Sequence, residues 1–304
     1  MRWEDLRSSD NVEDRRGEGG GGGGGMGFPG GGAGGLGIGT IVVLLIVSYF
    51  TGINPAILIG GAERIGGGHS SQEQPADPQT QAKRRQAPTD DSGRFASKIL
   101  GNTEDVWSQI LPQQTGKQYT PTTLVLYTGG TRSGCGSAQA AMGPFYCPLD
   151  KKVYLDTSFF KEMASKFGVK GDFAYAYVIA HEVGHHVQDV LGILGKVQAR
   201  QQQASSKTEA NALSVRIELM ADCLAGVWAK NSNDKYAELD QGDIDEALNA
   251  AAQIGDDALQ QRSRGYVVPD SFTHGSSAQR QRWFTTGYKS GQTKACDTFR
   301  TANN

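Results

Sequence analysis

Several features that mark common protein classes are scarce or absent in this sequence. The chain has only four cysteines in 304 residues, and none of them forms a Cys-x-x-Cys pair, so the pattern of a cysteine-rich zinc site is missing. The formal net charge of −2 gives no argument for nucleic acid or for electrostatic binding to a membrane. We therefore predict no nucleic-acid partner. Histidine is also scarce, with five residues, so a chance match to a motif of paired histidines is rare.

The first 35 residues contain little that a hydrophobic core could use. Residues 1–18 are dense in charge, and residues 19–35 are almost wholly glycine. A segment that buries so little apolar surface does not offset the conformational entropy lost on folding. We therefore predict a disordered N-terminal tail over residues 1–35.

One long run without charge follows, over residues 36–59. About 20 apolar residues cross a bilayer as a helix, so this run predicts a single transmembrane helix in contact with lipid. A cleaved signal peptide is the alternative, because the strongest apolar part, residues 41–50, is short. A long tail before the run and the lack of a clear cleavage site after it favour the anchor. Residues 60–92 are rich in Gly, Ser, Gln and Pro and predict a flexible linker.

The arginines around the apolar run predict its orientation. Cationic residues near a transmembrane helix favour the cytoplasmic side, which here is the N-terminal side. Those before the run are Arg2, Arg7, Arg15 and Arg16, and Arg64 follows it closely. We therefore expect a single-pass protein of the inner membrane with a cytoplasmic N-terminus and a periplasmic or extracellular C-terminal domain. The sequence indicates no oligomeric state.

Residues 93–304 carry the patterns of a folded α+β domain. Apolar residues repeat at helical spacing in several segments, and short runs rich in β-branched and aromatic residues predict strands. The predicted strands are 122–127, 145–148 and 152–156, and the predicted long helices are 173–192, 209–230 and 244–261.

The first of these predicted helices, 173–192, contains His181-Glu182-x-x-His185. Residues four apart lie on one face of a helix, so His181 and His185 can bind a single zinc ion, and Glu182 can take a proton from a water activated by that metal. The alternative is a buried helix with two hydrogen-bonded histidines. His186 is rotated by about 100° from His185, so we interpret it as partly exposed or as supporting a ligand. Gly184 allows another element to approach this helix closely.

The third ligand is expected from another helix. Glu218 and Asp222 are four residues apart and lie among apolar neighbours. Two carboxylates on one helix face repel each other unless other groups pair with them. We predict that Glu218 binds the zinc and that Asp222 accepts the free N–H of a ligand histidine. The alternative is a pair of carboxylates on a solvated helix surface.

With these two motifs, the chain resembles the bacterial neutral zinc metallopeptidase family. The motif helix is similar to that of the zincin peptidases, and the second helix is similar to the Glu-x-x-Ala-Asp helix of the gluzincins. The resemblance covers most of the chain outside the linker, through the segments MRWEDLRSSDNVEDRRG, GCGSAQAAMGPFYCPLD, VYLDTSFF, HEVGHHVQ, ELMADCLAG and FTHGSSAQRQRWF. It implies a zincin-like domain with a small sheet, the motif helix and the glutamate-bearing helix. The gap between the two motifs is longer than in compact thermolysin-like enzymes, and an insertion near residues 198–206 accounts for it.

Two further roles are expected in such a site. A peptide substrate usually adds to an edge strand, and residues 153–156 precede the motif helix where that strand belongs. A transition-state oxyanion also needs a hydrogen-bond donor, and His274 is our candidate for this catalytic role. Tyr154, Tyr266 and Tyr288 compete with it, and a structural histidine in a turn is the alternative.

The even number of cysteines predicts two disulfides. Cys135 and Cys147 flank one loop and can close it, whereas buried free thiols are the alternative. A bridge between Cys223 and Cys296 would hold the last segment against the glutamate-bearing helix.

The sequence therefore predicts a membrane-anchored, zinc-dependent metalloendopeptidase that hydrolyses peptide bonds of a peptide or protein substrate. Zn2+ is held by His181, His185 and Glu218, and Glu182 is the general base. A zinc-stabilised scaffold or binding protein of the envelope, without proteolytic activity, is the alternative. A third interpretation makes the N-terminal tail a cytoplasmic interaction module.

Overall fold

A computed structural model of the chain describes residues 1–17, 80–81, 84–139 and 142–300. The predicted transmembrane run 36–59 and most of the predicted linker lie outside these residues. In the part of the chain that is described, no helix is both long and apolar enough to span a bilayer. The architecture is mixed α and β, as the sequence predicts.

The larger of the two sheets in the described residues has four strands. Strand β2 (Thr123–Tyr127) lies between β1 (Val12–Asp14) and β6 (Lys152–Asp156), and all three are parallel. Strand β5 (Phe145–Cys147) pairs antiparallel with β6 and forms the far edge, so the order is β1-β2-β6-β5. The central strand β2 is apolar and almost fully buried, as expected when both faces of a parallel sheet are covered. The prediction that residues 153–156 form the edge strand is therefore wrong, because β6 has a partner on each side.

A small hairpin and eight α-helices complete the described part of the domain. The hairpin joins β3 (Gly130–Ser133) to β4 (Gly136–Gln139). The disulfide Cys135–Cys147 connects it to β5, as predicted. The helices are α1 (Asp91–Thr115), α2 (Ser158–Phe167), α3 (Asp172–Val190), α4 (Ile193–Gln202), α5 (Lys207–Tyr236), α6 (Asp243–Gln253), α7 (Asp256–Arg264) and α8 (Ser277–Ser290).

The predicted helix over residues 244–261 is two helices in the structure, α6 and α7. The break falls at Gly255, where a Cβ atom would lie 2.5 Å from the backbone nitrogen of Ser277. The chain turns there because the start of α8 packs directly against it. The break places Asp256 at the N-terminal end of α7.

Residues 1–17 are not a disordered tail, which corrects the prediction for that part of residues 1–35. They form β1 and cover part of α1, with Leu6 and Val12 buried in the main core. The Trp3 ring meets Phe95 edge to face at 5.3 Å. Few apolar residues suffice here because the charged residues find partners elsewhere in the domain. Arg7, for example, forms ion pairs with Glu104 and Asp105 of α1.

Helix α5 is the central element against which α3 and α8 pack. A Cβ atom at Gly184 of α3 would lie 3.0 Å from the carbonyl oxygen of Ala221, so the two helix backbones are in close contact. This confirms the expected close approach at Gly184. On the other side of α5, the disulfide Cys223–Cys296 holds the segment after α8, as predicted.

Gly226 of α5 and Gly195 of α4 provide a matched test of this packing. A Cβ atom at Gly226 would overlap the carbonyl oxygen of Phe284 in α8, whereas one at Gly195 would meet nothing within 4 Å. Gly226→Ala should lower the free energy of unfolding by about 1–3 kcal/mol, because overpacking displaces α8. Gly195→Ala should leave it unchanged or raise it by up to about 1 kcal/mol, because alanine favours an exposed helix. Urea unfolding measures both, and equal effects would contradict the close packing of α5 on α8.

Candidate metal centre

Helices α3 and α5 bring together the three predicted metal ligands. Nε2 of His181 lies 3.1 Å from Oε2 of Glu218. Nε2 of His185 lies 3.5 Å from the same oxygen. One ligand atom from each of the three residues lies within 4.8 Å of the other two, so the group could hold a metal ion. The i, i+4 spacing on α3 and the close contact at Gly184 together produce this convergence.

The orientation of each imidazole is set by a partner on its other nitrogen. Nδ1 of His181 donates to Oδ1 of Asp222 at 2.8 Å, as predicted. Nδ1 of His185 donates to Oε1 of Gln188 at 3.0 Å, and the Gln188 amide in turn donates to the carbonyl of Ile217 in α5. Both Nε2 atoms are thereby directed to Glu218. A ligand histidine requires this arrangement, with one nitrogen hydrogen-bonded and the other directed at the metal.

The electrostatics of the cluster also suit a cation. Burial opposes a charge on His181, but the carboxylates of Asp222 and Glu218 outweigh it and raise its pKa to about 10. Burial likewise opposes a charge on Glu218, but His185 and His181 outweigh it and hold its pKa well below the usual range. The carboxylates therefore favour the protonated form of both histidines. Because a metal ion binds the deprotonated imidazole, metal binding would be linked to proton release.

Asp222 is fully buried and has three kinds of partner. Arg280 of α8 donates to both carboxylate oxygens, from Nε to Oδ2 at 2.9 Å and from Nη2 to Oδ1 at 3.0 Å. The hydroxyl of Tyr177 donates to Oδ1 at 2.6 Å. Burial opposes ionisation, but Arg280 and His181 outweigh it and lower the pKa of Asp222 to about 2. The carboxylate is therefore ionised and firmly positioned against His181.

Three supporting residues, Arg280, Tyr177 and Gln188, were not predicted from the sequence. Two of them had a local signal, because Tyr177 lies four residues before His181 and Gln188 three residues after His185 on the same helix. Arg280 had none, since its partner is 58 positions away. A capping box at Ser276 sets the start of α8 and so fixes where Arg280 falls on that helix.

Glu182 follows His181 on α3 and is buried, with 8% of its surface exposed. It lies on the helix that carries His181 and His185, where the motif predicts it. Burial opposes a charge on His185, but Glu218 outweighs it and raises the pKa of that imidazole, and the Glu182 carboxylate acts in the same direction. The structure therefore places a carboxylate next to the cluster in addition to Glu218.

His274 lies in the loop before α8 with about half of its side chain exposed. Its Nδ1 is 3.4 Å from Oδ1 of Asp256. The other oxygen of Asp256 accepts the backbone N–H groups of Thr273, His274 and Gly275, at 2.7, 2.6 and 3.1 Å. Removal of part of the His274 imidazole from water opposes its charge, but Asp256 and Glu218 outweigh this and raise its pKa above the ordinary value. Asp256, which the sequence analysis missed, therefore anchors both the loop and the imidazole.

The three competing tyrosines have other environments. The hydroxyl of Tyr154 donates to Asp150 at 2.6 Å. Tyr266 is 60% exposed. Tyr288 stacks on Phe284 with the ring centres 6.4 Å apart.

His186 is not a ligand, in agreement with the angular argument, but it is buried rather than partly exposed. Its Nε2 lies 2.6 Å from the carbonyl oxygen of Thr120, and its Nδ1 lies 3.1 Å from the hydroxyl of Tyr146. Tyr146 also donates to Asp189 of α3 at 3.0 Å. These contacts hold the edge strand β5 against the motif helix.

A cleft of about 600 Å³ lies between the first turns of α5 and the start of α8. Val215, Phe272 and Ser276 are among its lining residues, so it adjoins the loop that carries His274. None of the three candidate ligands lines it. The metal centre is therefore identified by its donor atoms and not by a cavity.

Comparisons with known proteins agree with this site. A family model described as "Putative neutral zinc metallopeptidase" matches residues 1–299. The uncharacterized protein YpfJ of Escherichia coli strain K12 is 49% identical over 299 residues, which cover 98% of this chain and 99% of that protein. The uncharacterized protein Rv2575 of Mycobacterium tuberculosis strain H37Rv is 44% identical over 227 residues, covering 70% of this chain and 74% of that protein. No solved structure matches the chain.

The family match spans residues 1–17, the sheet and helices α3 and α5. It confirms the resemblance that the sequence motifs indicate. The chain belongs to the neutral zinc metallopeptidase family.

Proposed function

We propose that this protein is a zinc-dependent metalloendopeptidase. The observation that carries the proposal is the convergence of His181, His185 and Glu218, with both histidine Nδ1 atoms occupied by hydrogen-bond acceptors. A purely structural helix pair does not need two imidazoles aligned on one carboxylate oxygen. Family membership supports the same reaction class.

The donor set fits zinc. Two imidazole nitrogens and one carboxylate oxygen are the usual protein ligands of a catalytic zinc, which keeps a further position open. When bound, zinc supplies a Lewis acid that polarises a carbonyl group and makes water more acidic. Asp222 and Gln188 orient the two histidines, and Arg280 keeps Asp222 ionised and in place.

Glu182 is the proposed general base. It accepts a proton from the attacking water and passes it to the amine that leaves. His274 is the proposed donor to the oxygen of the scissile carbonyl, and the neighbouring carboxylate of Asp256 favours the charged form of its imidazole. The role of His274 depends on this charge, because a positive donor stabilises the developing oxyanion more strongly than a neutral one.

The substrate is proposed to be a peptide or protein segment in extended conformation. β5 has a free edge in the described part of the sheet and is held against α3 by Tyr146. An extended segment can add to that edge through main-chain hydrogen bonds. This proposal moves the expected substrate strand from β6 to β5.

Zinc binding tests the ligand set. Glu218→Gln should lower zinc affinity by more than about 100-fold, because loss of a mere supporting partner already costs about 10–100-fold. Competition with a chromogenic chelator measures the affinity. Glu209→Gln is the matched control, since Glu209 is an exposed residue of the same helix and should leave affinity unchanged. Parent-like zinc affinity in Glu218→Gln would refute this ligand set.

The role of Glu182 is tested by separating metal binding from hydrolysis. Glu182→Gln should bind zinc like the parent but hydrolyse a peptide library at least about 10²-fold more slowly, because the proton acceptor is lost. Mass spectrometry of the digest, with and without chelator, measures cleavage, and Glu209→Gln again serves as control. Undiminished cleavage by Glu182→Gln would contradict the mechanism. A parent protein that binds zinc and cleaves no peptide would instead support the scaffold alternative.

The role of His274 predicts a pH dependence. If the charged imidazole is the donor, activity falls as pH rises through the raised pKa of His274. Asp256→Asn removes the neighbouring carboxylate and so lowers the pKa of His274. The fall of kcat on the alkaline side of its pH profile should therefore move to lower pH. His274→Gln should lower kcat by about 10²-fold and abolish that fall. Initial rates across pH measure both variants, and an alkaline fall that stays in place in Asp256→Asn and His274→Gln would exclude His274 as its origin.

A further inference from the structure

Residues 1–17, which we call the N-terminal arm, are an integral part of the metal-bearing domain. Strand β1 pairs with β2 in parallel register, with Val12 opposite Leu124 and Asp14 opposite Leu126. The backbone N–H of Leu124 donates to the carbonyl of Asn11 at 2.9 Å, which extends the ladder. The arm also reaches the motif helix, because Nε1 of Trp3 donates to Asp172 at 3.0 Å.

A buried carboxylate of α1 depends on the arm. Glu104 is 5% exposed and accepts hydrogen bonds from Arg7 at 2.9 Å, Ser9 at 2.6 Å and Asn11 at 2.7 Å. Without the arm, this carboxylate would lose these three partners. A buried charge that loses its partners is strongly destabilising, so the domain and the arm are expected to fold as one unit.

The arginines on which the prediction of a cytoplasmic N-terminus rests form ion pairs and hydrogen bonds within the folded domain. Arg2 lies 3.5 Å from Asp240, and Arg7 pairs with Glu104 and Asp105. Arg15 pairs with Glu13 and donates to the carbonyl of Arg132. These contacts give the arginines a structural role in the folded domain. The number of arginines before residue 36 is therefore no longer evidence for a cytoplasmic N-terminus.

The chain leaves and re-enters the folded unit at one place. Arg16, at the end of β1, forms ion pairs with Asp14 at 2.6 Å and with Asp90 at 2.5 Å. Asp90 is the N-cap of α1 and accepts the backbone N–H of Gly93. An ion pair therefore links the end of the arm to the start of α1.

We propose that the N-terminal arm and residues 91–300 lie on the same side of any membrane that the chain contacts. A single crossing within residues 18–79 would place β1 and β2 on opposite sides of a bilayer, which their pairing forbids. The pairing of β1 with β2 therefore excludes an odd number of membrane crossings between the arm and residues 91–300. The two disulfides indicate that this side is an oxidising compartment, so the arm would be there as well.

Cysteine labelling of the full chain tests the proposal. Gly17→Cys in the arm and Gly195→Cys in α4 are a matched pair, because both glycines are exposed and an added Cβ meets nothing within 4 Å. The parent has no free thiol, since all four cysteines form disulfides. Each variant is treated with a membrane-impermeant maleimide in intact cells and after permeabilisation.

Under the proposal, both positions react in intact cells, because the arm and residues 91–300 share one oxidising compartment. Reaction of both positions only after permeabilisation would overturn that placement. Reaction of one position in intact cells and of the other only after permeabilisation would overturn the proposal. Melting temperatures equal to that of the parent show that both variants are folded.

A second variant tests the pairing without any label. Val12 is 4% exposed, so Val12→Asp in the full chain should lower the melting temperature of the metal-bearing domain by several degrees. Asp10→Ala, at an exposed position of the same arm, should leave it unchanged. An unchanged melting temperature in Val12→Asp would show that the arm is not part of the domain and would overturn the proposal.

Discussion

The buried carboxylate of Asp222 is the interaction on which the site depends. A charge removed from water is stable only when opposite charges and hydrogen-bond donors replace the solvent. Here the guanidinium of Arg280 and the hydroxyl of Tyr177 supply them, and His181 supplies a further N–H. Asp222 thus joins α3, α5 and α8 through a single side chain. Because Asp222 fixes the orientation of the His181 ring through Nδ1, it also sets the direction in which Nε2 points.

The same requirement explains the N-terminal arm. Glu104 is a second buried carboxylate, and its partners come from a segment that is too charged and too poor in apolar residues to fold by hydrophobic burial alone. The composition of such a segment predicts disorder, because composition takes no account of contacts that the segment makes with distant parts of the chain. The arm is ordered because its hydrogen-bond and charge partner, Glu104, lies on α1, 95 positions after Ser9 in the chain.

Close backbone packing around α5 makes these polar junctions possible. Gly184 lets α5 approach the motif helix, and Gly226 lets α8 approach α5 from the other side. A long side chain at either position would separate the helices and lengthen the contacts of Asp222. The disulfide Cys223–Cys296 begins at the residue after Asp222, so it holds the C-terminal segment beside the same junction.

The sequence alone determined the features that depend on local geometry. The helical repeat placed His181, Glu182 and His185 on one surface, and the same repeat paired Glu218 with Asp222 on another helix. The α+β class and both disulfides were also predicted. Only the tertiary structure decided that β5 and not β6 is the edge strand, that Arg280 and Asp256 support the histidines, and that the N-terminal arm joins the sheet. Strand order and charge pairing between distant segments leave no periodic pattern in a sequence, because they arise only when the folded chain brings those segments together.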